Sequence, residues 1–251
     1  MKVYFVGAGP GNLDLLTIKA KDVISRADII IYAGSLVNQG ILGFAAKSAL
    51  IYDSSKMTLE EVLKVMRNAK PTKKVIARVH SGDPSIYSAI QEQVSWCDKE
   101  KISYEVIPGV SSFCAAAASL KQELTLPDIA QTVIITRLSG RTKVPKKEDL
   151  RVLSRIRATL VIFLSVDKIN EVVKQLLYGY KSGTPVAVVC RGSWPDEKII
   201  RGTLKDIARK VKRERIDRQA LIFVGDVLKS KDFQKSRLYD KSFPHSYRKN
   251  R

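Results

Sequence analysis

The sequence predicts an α/β fold of two α/β domains, an N-terminal one on a mostly parallel sheet and a C-terminal one on a mixed sheet, with a ligand cleft between them. Three observations carry this. The first half alternates short apolar runs with helical patterns, which implies parallel strands covered by helices on both faces. In the second half several strands follow one another through short links, which favour antiparallel pairing. Polar, small-residue turns close four of the first-half strands, as at the ligand edge of a parallel sheet.

Buried strands are predicted at residues 3–6, 29–32, 50–52, 75–79 and 104–107, with helices near 15–25, 59–69, 87–98 and 111–119. The pattern changes near 121–127. Strands then fall at 132–136, 159–164, 186–189, 198–202 and 221–224, and helices at 147–155, 166–177 and 204–212. The boundary is set near residue 122, giving domains 1–121 and 122–251. No internal repeat is found.

Composition narrows the function. At 251 residues and 45% hydrophobic, the chain can build a real core. No apolar run approaches the roughly 20 residues of a membrane-spanning helix, and the start passes straight into a strand, so neither membrane insertion nor a signal peptide is expected. Three scattered cysteines (97, 114, 190) argue against a disulfide framework or zinc site and for a reducing, cytoplasmic setting. With only His80 and His245, a histidine-rich metal site is excluded, and no metal ligand set is predicted. The net charge of +19 suits a polyanionic partner, either nucleic acid or a small polycarboxylate, and equally suits a generally basic surface. The tail from 229 onward mixes Lys and Arg with four aromatics, a composition that packs on its own domain or a partner subunit more readily than it binds single strands.

The strongest motif is Gly7-Ala8-Gly9-Pro10-Gly11, between a strand and a helical pattern, where backbone N–H groups commonly hold a ligand. It is not a dinucleotide fingerprint. Asn12 stands where the third glycine belongs, Pro10 removes a donor, and the second strand ends in Tyr32-Ala33 rather than an acidic residue. No phosphate-binding G-x-x-x-x-G-K-[ST] is present. Ser81-Gly82-Asp83-Pro84 forms a second ligand turn, in which Asp83 either accepts from a ligand or caps the helix with Ser85. Gly34-Ser35 and Pro108 to Ser112 close two more strands. Arg137 and Arg141 flank a small-residue loop and suit bidentate carboxylate binding, or are two solvated arginines.

Together these segments resemble the tetrapyrrole methylase family of S-adenosylmethionine-dependent enzymes. The turn 6–11 and the loop 81–84 match the family at large. Segments 32–37, 108–118, 123–127, 131–142, 187–198 and 236–248 match, in order, a branch that methylates ring carbon 11 of a corrin precursor in cobalamin biosynthesis. Asn12 and Cys114 are small departures. The resemblance implies a cytoplasmic homodimer with a polycarboxylate tetrapyrrole as partner and neither nucleic acid nor membrane. It implies cofactor contacts at Pro10, Ser81, Gly82, Asp83, Ile86, Ser111, Ser112, Leu164 and Gly202. Tyr32, Ser35, Arg137 and Arg141, on a basic polar rim, are the substrate candidates. Asp83 is the sole catalytic candidate, as an acceptor of the proton lost after methylation. The alternatives are another tetrapyrrole intermediate, an RNA ribose methyltransferase of the same fold, and a non-enzymatic nucleic-acid module.

Overall fold

The computed structural model describes residues 1–140 and 142–229, with Phe243, Pro244 and Ser246. Arg141 and most of the aromatic tail, for which packing is expected, lie outside the described residues. Two compact units result: Met1–Ala116 with Arg191–Glu197, and Ala117–Cys190 with the chain from Lys198 on.

The first unit is built on β1 (Lys2–Gly7), β2 (Ile29–Tyr32), β3 (Leu50–Asp53), β4 (Val75–His80) and β5 (Ser103–Ile107), in the order β3-β2-β4-β1-β5. Every pairing is parallel. Alternation along β1 decides the layers. Tyr4 and Val6 face a cluster with Ala20, Val23 and Ile24 of α1 (Ile18–Ser25). Val3 and Phe5 face the opposite one, with Val62 and Met66 of α2 (Leu59–Ala69) and Cys97 of α3 (Gln91–Lys99). Both faces are therefore covered, which is why the strands read as apolar runs rather than alternating ones.

Local chemistry fixes the helix starts. Thr58 opens α2 with a capping box: its hydroxyl accepts from the Glu61 N–H at 3.3 Å, and the Glu61 carboxylate accepts from the Thr58 N–H at 2.7 Å. Two expected starts move. The first helix begins at Ile18 rather than 15, because the Thr17 hydroxyl caps it by accepting from the Ala20 N–H at 3.2 Å. The helix expected from Tyr87 begins at Gln91, because Tyr87 and Ala89 take left-handed φ values of 53° and 49° that no α-helix accommodates.

The second unit carries β6 (Val133–Arg137), β7 (Thr159–Phe163), β8 (Pro185–Cys190), β9 (Lys198–Thr203) and β10 (Ala220–Val224), in the order β6-β7-β10-β8-β9. β6 and β7 are parallel; the β7–β10, β10–β8 and β8–β9 pairs are antiparallel, so the sheet is mixed. Leu160, Ile162, Val188 and Ile222 pack on Leu150 of α5 (Leu150–Leu153), on Ile169, Val172 and Leu176 of α6 (Ile169–Leu176), and on Ile207 and Val211 of α7 (Ile207–Arg213). α4 (Ser112–Leu120) follows β5. Among the described residues no helix is long and apolar enough to cross a membrane.

Candidate cofactor and substrate site

In the first unit, register places Tyr32, Val79, Val6 and Ile107 in one row across four adjacent strands. The turns that follow them therefore leave from one edge. This is the carboxyl edge of a parallel sheet, where α/β proteins bind ligands. Pro10, Ser81, Gly82, Asp83, Ser111 and Ser112 lie on or beside the turns that touch there, while Tyr32 ends β2 and Ser35 follows it.

Three glycines let these turns touch. A Cβ on Gly109 would stand 2.2 Å from the Gly82 carbonyl oxygen, and one on Gly7 would stand 2.6 Å from the Gly109 nitrogen. Gly82 itself holds φ at 63°, which favours glycine. Gly9 and Gly82 exchange backbone hydrogen bonds of 3.2 and 2.7 Å, and the Ala8 N–H donates to the His80 carbonyl at 2.8 Å. This corrects the expectation for the first turn. The N–H groups of Ala8 and Gly9 are spent on the neighbouring loop, so the turn's glycines serve close approach of backbones.

Asp83 is a fastener between loops. Its Oδ1 accepts from the Ser85 N–H at 2.8 Å and from the Ser85 hydroxyl, and its Oδ2 accepts from the Gly109 N–H at 2.9 Å. The helix-cap reading fails, since no helix starts within this Asx-type turn. Partial burial pushes the carboxyl up, but the Ser85 hydroxyl and the amides of Gly109 and Ser85 outweigh it and hold Asp83 below the usual carboxylate value. A carboxylate stabilised in this way is a weak proton acceptor.

Beneath the edge, the buried Arg78 guanidinium donates to the Gln93 side-chain oxygen at 3.0 Å and to the Ile31 carbonyl at 3.2 Å. It thereby ties β2, β4 and α3 together. Burial alone lowers its pKa to about 10. Burial, then the Arg78 charge, lowers His80 to about 3, so this imidazole is neutral.

The remaining candidates divide. Tyr32 is only 7% exposed and packs in the α1-side core, whereas Ser35 is exposed. The half-buried Ile86 lies in the segment between Asp83 and α3. In the second unit Arg137 ends β6 and Leu164 follows β7, at the carboxyl edge of this parallel pair. The Arg137 guanidinium donates to the carbonyls of Thr142 at 2.9 Å and Lys143 at 3.3 Å, so part of it braces its own loop. Leu164 is 67% exposed with φ at 50°. Gly202, on β9, is in register, through Val186 and Val224, with Leu160 at the start of β7.

Sequence reasoning missed the neighbours that hold the loops. Asn38 donates from its side chain to the Gly11 carbonyl at 2.8 Å, and Asp53 accepts from the Gly34 N–H at 3.1 Å. Trp194 and Ser193 reach the glycine turn from a loop far along the chain. No spacing rule links residues 11 and 194; only the glycine at 11 hints that something bulky must fit beside it.

A two-unit α/β protein with small-residue turns at one parallel edge belongs to the class that binds a small molecule at that edge. Comparison with known proteins specifies the family. Residues 2–208 match the family model described as Tetrapyrrole (Corrin/Porphyrin) Methylases. A cobalt-precorrin-4 C(11)-methyltransferase of Methanocaldococcus jannaschii is 57% identical over 99% of this chain and 96% of its own. The X-ray structure of a cobalamin biosynthetic enzyme, the cobalt precorrin-4 methyltransferase CbiF, superposes with a TM-score of 0.88 at 41% identity, covering 90% of this chain and 95% of that one. Uroporphyrin-III C-methyl transferase from Thermus thermophilus, complexed with S-adenyl homocysteine, gives 0.78 at 27% identity, covering 91% and 99%. The chain belongs to the tetrapyrrole methylase family.

The edge of the first unit fits the family's methyl donor. The short side chains of Ser111 and Ser112 put no bulk at this edge, and the ionised Asp83 suits a cationic ligand.

Proposed function

We propose that this protein methylates ring carbon 11 of cobalt-precorrin-4, with S-adenosylmethionine as donor, in cobalamin biosynthesis. The observation that supports it most is identity of 57% across nearly the whole length of a relative with that activity. The net charge of +19 suits a macrocycle bearing many carboxylates, and a cytoplasmic homodimer free of nucleic acid and membrane accompanies the reading.

S-adenosylmethionine, when bound, would supply a methyl activated on sulfonium: a ring-carbon electron pair forms the new C–C bond while the methyl–sulfur pair stays with sulfur, giving neutral S-adenosylhomocysteine and a macrocycle that sheds the transferred positive charge as a proton to solvent. The protein then needs neither nucleophile nor metal of its own. Its residues align the reactants and exclude water. In this reading Pro10, Ser81, Gly82, Asp83, Ile86, Ser111 and Ser112 of the first unit, with Leu164 and Gly202 of the second, hold the donor. Tyr32, Ser35, Arg137 and Arg141 address the macrocycle. Asp83 holds the loops in place and takes up no proton.

The test is transfer from labelled S-adenosylmethionine to cobalt-precorrin-4 and to metal-free precorrin-4, read by mass spectrometry. One added methyl, with the cobalt form preferred, is the expected result. Preference for the metal-free form would move the protein to the oxygen-dependent route. Transfer to neither, with donor binding intact, would overturn the substrate assignment.

A further inference from the structure

The segment Arg191–Glu197 plays no part in the chemistry described so far, yet it is built into the first unit although β8 and β9 on either side belong to the second. The half-buried Trp194 indole donates to the Pro10 carbonyl at 2.8 Å, and the Ser193 hydroxyl accepts from the Asn12 N–H at 3.1 Å. At Gly11, φ is 151°, and a Cβ there would stand 1.9 Å from the indole nitrogen, so Trp194 fills the space that this glycine leaves. From the other side Asn38 donates to the Gly11 carbonyl at 2.8 Å.

The loop that presents the indole is itself braced. Arg191 pairs with Asp196 at 2.7 Å and stacks 4.0 Å from the Trp194 ring centre. The Ser193 N–H donates to the Glu197 carboxylate at 2.7 Å. Arg191 and Ser193 take left-handed φ values of 51° and 71°, a shape that isolated loops do not hold without such support.

We propose that Trp194 is a positioning residue for the glycine-rich turn, acting through the Pro10 carbonyl to keep that turn in its donor-binding conformation. The assignment rests on the methyltransferase reading, in which this turn contacts S-adenosylmethionine. A turn free to leave that conformation binds with an apparent affinity reduced by the fraction of time it spends elsewhere. The clamp removes that loss. It acts on the free enzyme, so it governs donor affinity and leaves the saturated rate almost untouched.

Calorimetric titration with S-adenosylhomocysteine and steady-state kinetics with S-adenosylmethionine test this on the full chain. In Trp194→Phe, which keeps a ring but loses the donor, the dissociation constant and the donor KM are expected to rise about tenfold, the size of one lost hydrogen bond to a half-buried carbonyl. The kcat is expected to stay within about twofold, since bound donor itself orders the turn. Ser193→Ala is expected to shift the same two quantities in the same direction. In a Trp96→Phe background, Trp194 is the lone tryptophan, and its emission is expected to shift on titration. A folded Trp194→Phe with wild-type affinity would overturn the clamp while leaving the methyltransferase reading intact. Failure of the wild-type protein to bind S-adenosylhomocysteine would overturn that reading and the clamp with it.

Discussion

The Asp83 carboxylate accepts the Gly109 backbone N–H at 2.9 Å and so fastens the loop after β4 to the loop after β5. That bond separates two roles for one residue. A fastener replaced by Asn keeps one acceptor oxygen and sets an amide NH2 against the Gly109 or Ser85 N–H, which costs stability rather than kcat; a proton acceptor so replaced costs kcat. Asp83→Asn is therefore expected to keep kcat within about threefold, where loss of a general base costs 10²–10⁴. Asp83→Ala, which strands the Gly109 N–H, is expected to lower stability by about 1–3 kcal/mol and weaken donor binding. Thermal melts and turnover at saturating substrates check both.

Gly7 and Gly109, where they meet each other and the Gly82 carbonyl, tolerate no side chain. Gly109→Ala is expected to cost at least about 2 kcal/mol, because its Cβ meets the Gly82 carbonyl, which has no room to yield. Gly43→Ala meets nothing within 4 Å and is expected to stay within about 0.5 kcal/mol of wild type. Urea denaturation of the pair separates close packing from a general dislike of losing glycine.

Stability is expected to fall in mild acid. Burial, and then Arg78, depresses His80 from 6.5 to about 3, so below the ordinary histidine value the unfolded chain binds a proton that the folded chain refuses. The contribution is full above about pH 7 and is lost at up to about 1.4 kcal/mol per pH unit as pH falls from about 6.5 toward 3. Asp206, held down to about 2 chiefly by Lys210, loses its contribution only at lower pH. Melts of wild type and His80→Gln between pH 7 and 5 are expected to show a falling midpoint in the first and a flatter one in the second.

Arg137 supports its own loop through the Thr142 and Lys143 carbonyls and, in the proposed function, also meets a substrate carboxylate. Replacing Arg137 and Arg141 together by Ala is expected to raise the tetrapyrrole KM about tenfold or more, the scale of a lost charge-assisted hydrogen bond, with S-adenosylhomocysteine affinity unchanged. An unchanged tetrapyrrole KM in steady-state assays would remove both arginines from the substrate side.

The parallel sheet of the first unit is legible because its central strands β1, β2 and β4 are buried on both faces and read as apolar runs; the edge strands β3 and β5, expected buried, are instead partly exposed, with Leu50 at 49% and Val106 at 41%. Antiparallel pairing of β8 and β9 is legible from the short link between them. The start of α3 is not. A left-handed Tyr87 and Ala89 carry no sequence signature, since the surrounding fold imposes them. The loops of the candidate site are visible as turns, but their partners are not: the Trp194–Pro10 and Asp53–Gly34 bonds join residues that only the folded chain brings together. Burial of Tyr32 is similarly hidden, because a tyrosine ending a strand reads alike whether its ring turns inward or out.

The chain enters the first unit twice, once as Met1–Ala116 and again as Arg191–Glu197. A gene fragment ending near residue 116 would therefore make an incomplete module, with the hollow beside Gly11 open to water and the Pro10 carbonyl without its indole. Hairpin tips are ordinarily where chains accept inserted tags, permuted ends and cuts. Here the tip between β8 and β9 is the reverse: its length and sequence are tied to a turn that the ribosome finished roughly 180 residues earlier, at ordinary synthesis rates many seconds before.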